Sequence, residues 1–116
     1  MKTEELKKIL SDHKKWLDSN GKEGKKADLS KANLFKADLT KADLFGANLF
    51  KANLFKADLT KADLFGADLI GANLFKANLS GVDLTEANLS KANLSGAEIL
   101  ENQKNDLLRA IGIKIL

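Results

Sequence analysis

Apolar positions recur along most of this chain with a period of five. From Ala27 to Glu101 the sequence divides into 15 consecutive five-residue units. Each has a small residue, then Asp or Asn, then Leu, then two variable residues. The small position is Ala except at Val82. The central position is Leu from Leu29 to Leu94 and then Ile99, and the Asp/Asn position departs only at Glu98. A period of five matches neither the helix, at about 3.6, nor the extended strand, at about 2. It suits a short extended segment followed by a corner. Ala and Leu, two apart, then point to the same side of each segment, and that side is the predicted core.

A longer period lies over the first. Residues 31–50 and 51–70 differ only at Asn48/Asp68 and Phe50/Ile70. Four five-residue units per repeat predict a coil with four sides. Coils stack about 4.8 Å apart, so like positions form ladders such as Leu34, Leu54, Leu74 and Leu94. Burying each Leu is worth roughly 1.5–3 kcal/mol. Ala is required where the walls approach closely, because a larger side chain overpacks. The Asp/Asn position faces outward and sorts by side. Asn33, Asn53, Asn73 and Asn93 form one column, and Asp43, Asp63 and Asp83 another. Stacked amides are expected to hydrogen-bond along their column. Stacked carboxylates repel, so Lys41 and Lys61 are expected to neutralise Asp43 and Asp63. At the corners, Gly46, Gly66, Gly71, Gly81 and Gly96 suit the positive φ of a type II turn. Lys at the same position elsewhere argues for a second turn type, so mixed turns are expected.

The array from Ala27 to Glu101, 75 of the 116 residues, resembles the pentapeptide-repeat family. The resemblance implies an all-β solenoid, a right-handed quadrilateral β-helix. Its handedness comes from the resemblance alone. No catalytic residues carry across, because the motif positions are structural.

Solenoid ends expose unpaired coil edges, so caps are expected. In residues 3–19, Leu6, Ile9, Leu10, His13, Trp16 and Leu17 fall on one stripe of an amphipathic helix. Thr3 is a candidate N-cap, Glu4 and Glu5 suit the positive end of the helix dipole, and Asn20-Gly21 is a stop signal. Residues 102–116 are expected to form a short helix over 102–111, then a strand-like stretch with alternating Ile113, Lys114 and Ile115. Three segments result: 1–26, a capping helix and entry turn; 27–101, the solenoid; and 102–116, a helical cap and tail.

Composition narrows the function. Lys+Arg 19 against Asp+Glu 16 gives a net charge of +3, too weak a balance to point to nucleic acid or to an acidic partner. There is no cysteine, so neither disulfides nor thiolate metal sites are expected. No apolar run reaches the roughly 18 residues of a membrane span. The N-terminus lacks the apolar core of a signal peptide, so a soluble cytoplasmic protein is expected. His13 is the only histidine and lies on the apolar stripe, which favours a structural role, and Trp16 reads as core or cap. The Ser and Thr residues have no partner that would activate a nucleophile. No enzymatic activity, cofactor or metal is expected.

The position after Leu carries the other signal. If it faces outward, Phe35, Phe55 and Phe75 form one ladder, Phe45 and Phe65 a second, and Phe50 with Ile70 a third. Exposed aromatic patches mark interfaces, although the rings can instead lie flat along the wall. The leading expectation is a structural or protein-interaction module with a protein partner, itself forming a homo-oligomer. A dimer is the first form expected and a tetramer the second. The candidate interface comprises these five Phe residues and the tail residues Leu107, Leu108, Ile111, Ile113 and Ile115, with Leu116 at the end. The alternative, a DNA-mimic modulator of a type II topoisomerase, is a role implied for some members of the family. It needs on the order of ten negative charges over the array's length. Residues 27–101 hold 8 Lys against 7 Asp and 3 Glu. Ice binding, which uses flat Thr ladders, has only Thr40 and Thr60 to stack.

Overall fold

The structure, a computed structural model, describes residues 1–115; the expectation for Leu116 lies outside the described residues. Element α1 spans Thr3–Asp18. A four-sided coil follows, then a 3-10 turn at Glu101–Gln103 and α2 at Lys104–Ala110. The coil is held by single-residue parallel bridges between positions 20 apart, such as Asn33 with Asn53 and Asn53 with Asn73. Four bridge columns run along it, through Asp28, Asn33, Asp38 and Asp43. Each wall is one bridge wide because a corner intervenes every five residues.

The backbone bonds explain the motif. Leu34 N–H donates to the Asn53 carbonyl of the next coil at 2.7 Å, and Asn53 N–H donates back to Ala32 at 2.9 Å. Lys36 N–H donates to Phe55 at 2.9 Å, and Ala37 N–H closes the corner on Leu34 at 3.0 Å. The remaining N–H, that of Phe35, donates to Asn33 Oδ1 at 3.1 Å. All five N–H groups of an interior unit are thereby paired, as buried or half-buried amides require. Asp or Asn suits the second position because its short side chain returns an oxygen to the N–H two places on.

This geometry corrects two expectations. The Asn columns do not bond along the ladder, since each Oδ1 is used within its own coil; Asn53 with Phe55 and Asn73 with Phe75 repeat the pattern. The Asp columns are held the same way, Asp43 and Asp63 accepting from Phe45 and Phe65. Among the described residues no ion pair joins Lys41 or Lys61 to them. Backbone N–H groups, not lysines, are the bonded partners of these carboxylates.

The corners also differ from expectation. Each array Lys there has positive φ, from 54° at Lys51 to 62° at Lys91, as do the glycines, at 66° to 76°. With the fourth N–H bonded to the first carbonyl and positive φ confined to the third residue, every corner is type II. There is one turn type, and the lysines adopt it against their steric preference.

Leu29 to Leu89 form the core, with the interior Ala residues and Val82. Helix α1 closes the first coil with Leu6, Ile9 and Leu10 against that core. Its N-cap is Lys2, not Thr3, and no side chain caps it. Gly24 lies so close to α1 that a Cβ there would stand 2.2 Å from the Asp12 carbonyl oxygen. At the other end α2 and its C-cap Ile111 place Leu107, Ala110 and Ile111 against the core. Residues 112–115 follow α2 without forming a strand. No β-neighbour lies beside them among the described residues, so the alternation of Ile113 and Ile115 has no ladder to join.

Candidate interaction surface

The outer surface is built from the two variable residues of each unit. Phe35, Phe55 and Phe75 stack along one corner, with ring centroids 5.3 and 5.2 Å apart. Phe45 and Phe65 stack along another at 5.0 Å, within 5° of parallel. Phe35 and Phe45 are exposed, and Phe55, Phe65 and Phe75 half-buried. These rings stand outward and cover one another face to face. The Nζ atoms of Lys36, Lys56 and Lys76 lie over the preceding rings, at 5.2 to 5.3 Å. Lys51 does the same over Phe50.

The tail residues divide. Leu107 and Ile111 pack on the core, which removes them from a free interface. Leu108 and Ile115 are half-buried, and Ile113 is 49% exposed.

Three carboxylates ionise more readily than usual. Asp28, Asp38 and Asp58 lie below the usual 3.8, first because Ser30, Thr40 and Thr60 hydroxyls bond them and next because the same residues' N–H groups do. Among the described residues no three His, Cys, Asp or Glu gather into a metal-sized group. No described helix is long and apolar enough to cross a membrane. His13 is buried, and both its ring nitrogens are bonded within the chain.

Gln103 is a structural residue that sequence reasoning missed, a buried side chain that pins the C-terminal turn to the coil. Its Nε2 donates to the Leu79 and Val82 carbonyls at 2.8 and 3.0 Å. Its Oε1 accepts from Gly81 and Leu100 at 2.9 and 2.7 Å. Leu100 needs that acceptor because Glu98 replaces the Asp or Asn of its unit. The exception at Glu98 was the available signal. Elsewhere the last coil is open: the N–H groups of Leu84, Glu86, Leu94 and Gly96 have no hydrogen-bond partner among the described residues.

Comparison with known proteins finds the same repeat. The family model for pentapeptide repeats matches residues 25–49 and 62–98, in eight copies. Among solved structures, a pentapeptide repeat protein from the Arabidopsis thaliana thylakoid lumen is 34% identical, with 72% of each chain covered and a TM-score of 0.47. Another, from Nostoc Pcc 7120, is 33% identical over 77% of this chain and 73% of its own, with a TM-score of 0.41. The plasmid-mediated fluoroquinolone resistance protein QnrB1 is 24% identical over 77% of this chain and 45% of its own, also with a TM-score of 0.41. No curated protein matches. With the repeat model covering more than half of its residues, this chain belongs to the pentapeptide-repeat family.

Proposed function

We propose that this chain is a non-enzymatic structural or protein-interaction module that self-associates. The observation that carries the reading is the outward aromatic column of Phe35, Phe55 and Phe75, with Phe35 itself 49% exposed. An exposed aromatic ladder on a rigid wall is costly in water and gains by being covered. The polar groups beside it are already used to hold backbone, so they support a presenting surface and not a reaction centre. Self-association has separate support in the open last coil. There Leu94 N–H and Ala92 C=O flank Asn93 without backbone partners among the described residues. Across a two-fold axis, Leu94 of each copy could donate to Ala92 of the other in antiparallel pairing.

Light scattering on the full chain tests this. A dimer is expected at tens of micromolar, on the order of a micromolar Kd, and Ile113→Asp with Ile115→Asp should shift it to monomer. A full-length monomer at that concentration would remove self-association from the reading. A dimer unaffected by both changes would move the interface to Phe35, Phe55 and Phe75. A DNA mimic of a type II topoisomerase substrate calls for a continuous anionic surface. Lys residues stand at three of the four corner columns here, which supports the module over the mimic. The purified chain should therefore leave gyrase supercoiling unchanged.

A further inference from the structure

The four corner columns are not equivalent in charge. Three carry lysine at the positive-φ position, and the fourth carries Gly46, Gly66 and Glu86. Phe45 and Phe65 stand at that fourth corner. They differ from Phe35, Phe55 and Phe75 in that no Lys Nζ caps them among the described residues. A Cβ placed on Gly46 or Gly66 would meet nothing within 4 Å, so space beside these rings is open. Phe45 is 42% exposed, and Trp16 and Leu17 of α1 line a hollow that continues from it. Asp43, Asp63 and Asp83 run alongside, with no cation within ion-pair distance among the described residues. This edge is aromatic and anionic.

Its counterpart lies on the same molecule. The corner of Phe35, Phe55 and Phe75 is aromatic and cationic, with Lys36, Lys56 and Lys76 above the rings. Ten residues are half of a 20-residue coil, so the two corners are diagonally opposite across the cross-section. Both columns repeat at the coil spacing of about 4.8 Å. When one Lys of one copy meets one Asp of another, the neighbouring pairs are brought into register.

We propose that copies of this chain dock side by side, the Phe45–Phe65 edge of one against the Phe35–Phe55–Phe75 edge of the next. The occupant is a second copy because its other edge is opposite in charge and matches in ring chemistry and repeat length. The contact is heterologous and leaves a free edge on each outer copy, so assembly is open-ended. It rests on the self-association reading above but uses neither the tail nor the last coil. A contact a few coils long is smaller than a stable dimer interface, so the association is weak and weakened further by salt.

Sedimentation velocity of the full chain tests it, run up to about 0.5 mM, where contacts of millimolar Kd are populated. The salt should be roughly 20 mM and then about 500 mM, to vary screening. The sedimentation coefficient should rise with concentration past that of a dimer in low salt, and this rise should be lost in high salt. Two variants use residues that the array already carries at the same positions of other units. Lys36→Glu with Lys56→Glu and Lys76→Glu makes both edges anionic. Gly46→Lys with Gly66→Lys and Glu86→Lys, together with Asp43→Asn, Asp63→Asn and Asp83→Asn, makes both cationic. Each alone should lose the rise, and an equimolar mixture should restore it. The rise should persist in Ile113→Asp, which separates this contact from the end-on dimer. A coefficient independent of concentration in low salt, a rise that survives in either charge variant, or a mixture that fails to restore it would each overturn the proposal. In the first case the anionic edge would be left to a foreign basic partner.

Discussion

His13 ties the N-terminal helix to the first coil by donating from Nε2 to the carbonyl of Phe45, at 2.9 Å. Its Nδ1 accepts the Ala27 N–H, also at 2.9 Å, so the proton must sit on Nε2 for both bonds to form. One buried ring thereby satisfies the first amide of the array and a carbonyl on its exposed lower edge. Trp16 stacks on the ring at 5.7 Å and holds it in place.

Replacing His13 with Ala should therefore cost more than a surface change. It leaves the Ala27 N–H and the Phe45 carbonyl without their partners, each at about 1–3 kcal/mol. A total loss of about 2–6 kcal/mol is expected in urea unfolding, together with fraying of α1 seen as lower helix content. A loss below about 1 kcal/mol would mean that water replaces the ring there.

Leu54 is fully buried in the middle of the array. Leu54→Asp would put a carboxylate among apolar neighbours with no counter-ion, at several kcal/mol. The expected result is loss of the cooperative thermal transition of the solenoid. A melt within a few degrees of the parent would contradict the inward placement of the Leu ladder.

Lys41 holds φ at 60° in a conformation that costs a non-glycine residue about 1–2 kcal/mol. Lys41→Gly removes that cost and gives back part of it as unfolded-chain entropy, for a net gain of about 0.5–1 kcal/mol. Lys56→Gly should gain less, because Lys56 also covers the Phe55 ring. Paired denaturation curves compare the two, and equal gains would show that the Lys–Phe contact contributes nothing.

Asp58 is held below the usual 3.8 by the Thr60 hydroxyl and then the Thr60 N–H. A carboxylate depressed in the folded state adds stability above its unfolded pKa and loses it as pH falls through the folded value. The melting temperature should thus be steady near neutral pH and drop below pH 3.8. Asp58→Asn keeps the Oδ1 acceptor, as Asn78 does one coil on. It should melt like the parent at pH 7 and lose less by about pH 2.5. An acid loss as steep as the parent's would show that Asp58 is not among the groups responsible.

Much of the architecture was legible because the repeat is strict. Ala at the first position, Leu at the third and the near-identity of residues 31–50 with 51–70 imply inward pairs and four sides without any coordinates. The outward direction of the Phe residues was not legible, since a residue next to a corner can point along the wall or away from it. The inward packing of Leu107 and Ile111 was equally hidden, because an apolar tail reads the same whether it covers its own coil or another chain.

The repeat, the buried positions and the need for an end cap follow from the sequence, because each unit carries its apolar spacing locally. Which group satisfies each polar atom is set by the three-dimensional arrangement. Asn33 bonds Phe35 and not Asn53, and Gln103 serves the Leu100 N–H that Glu98 leaves without an Asp or Asn partner. Those choices depend on distances across coils and around corners, which a five-residue period does not contain. The contrast between the capped Phe35 edge and the open Phe45 edge has the same origin. It appears only when residues half a coil apart are placed on opposite corners of one rigid cross-section.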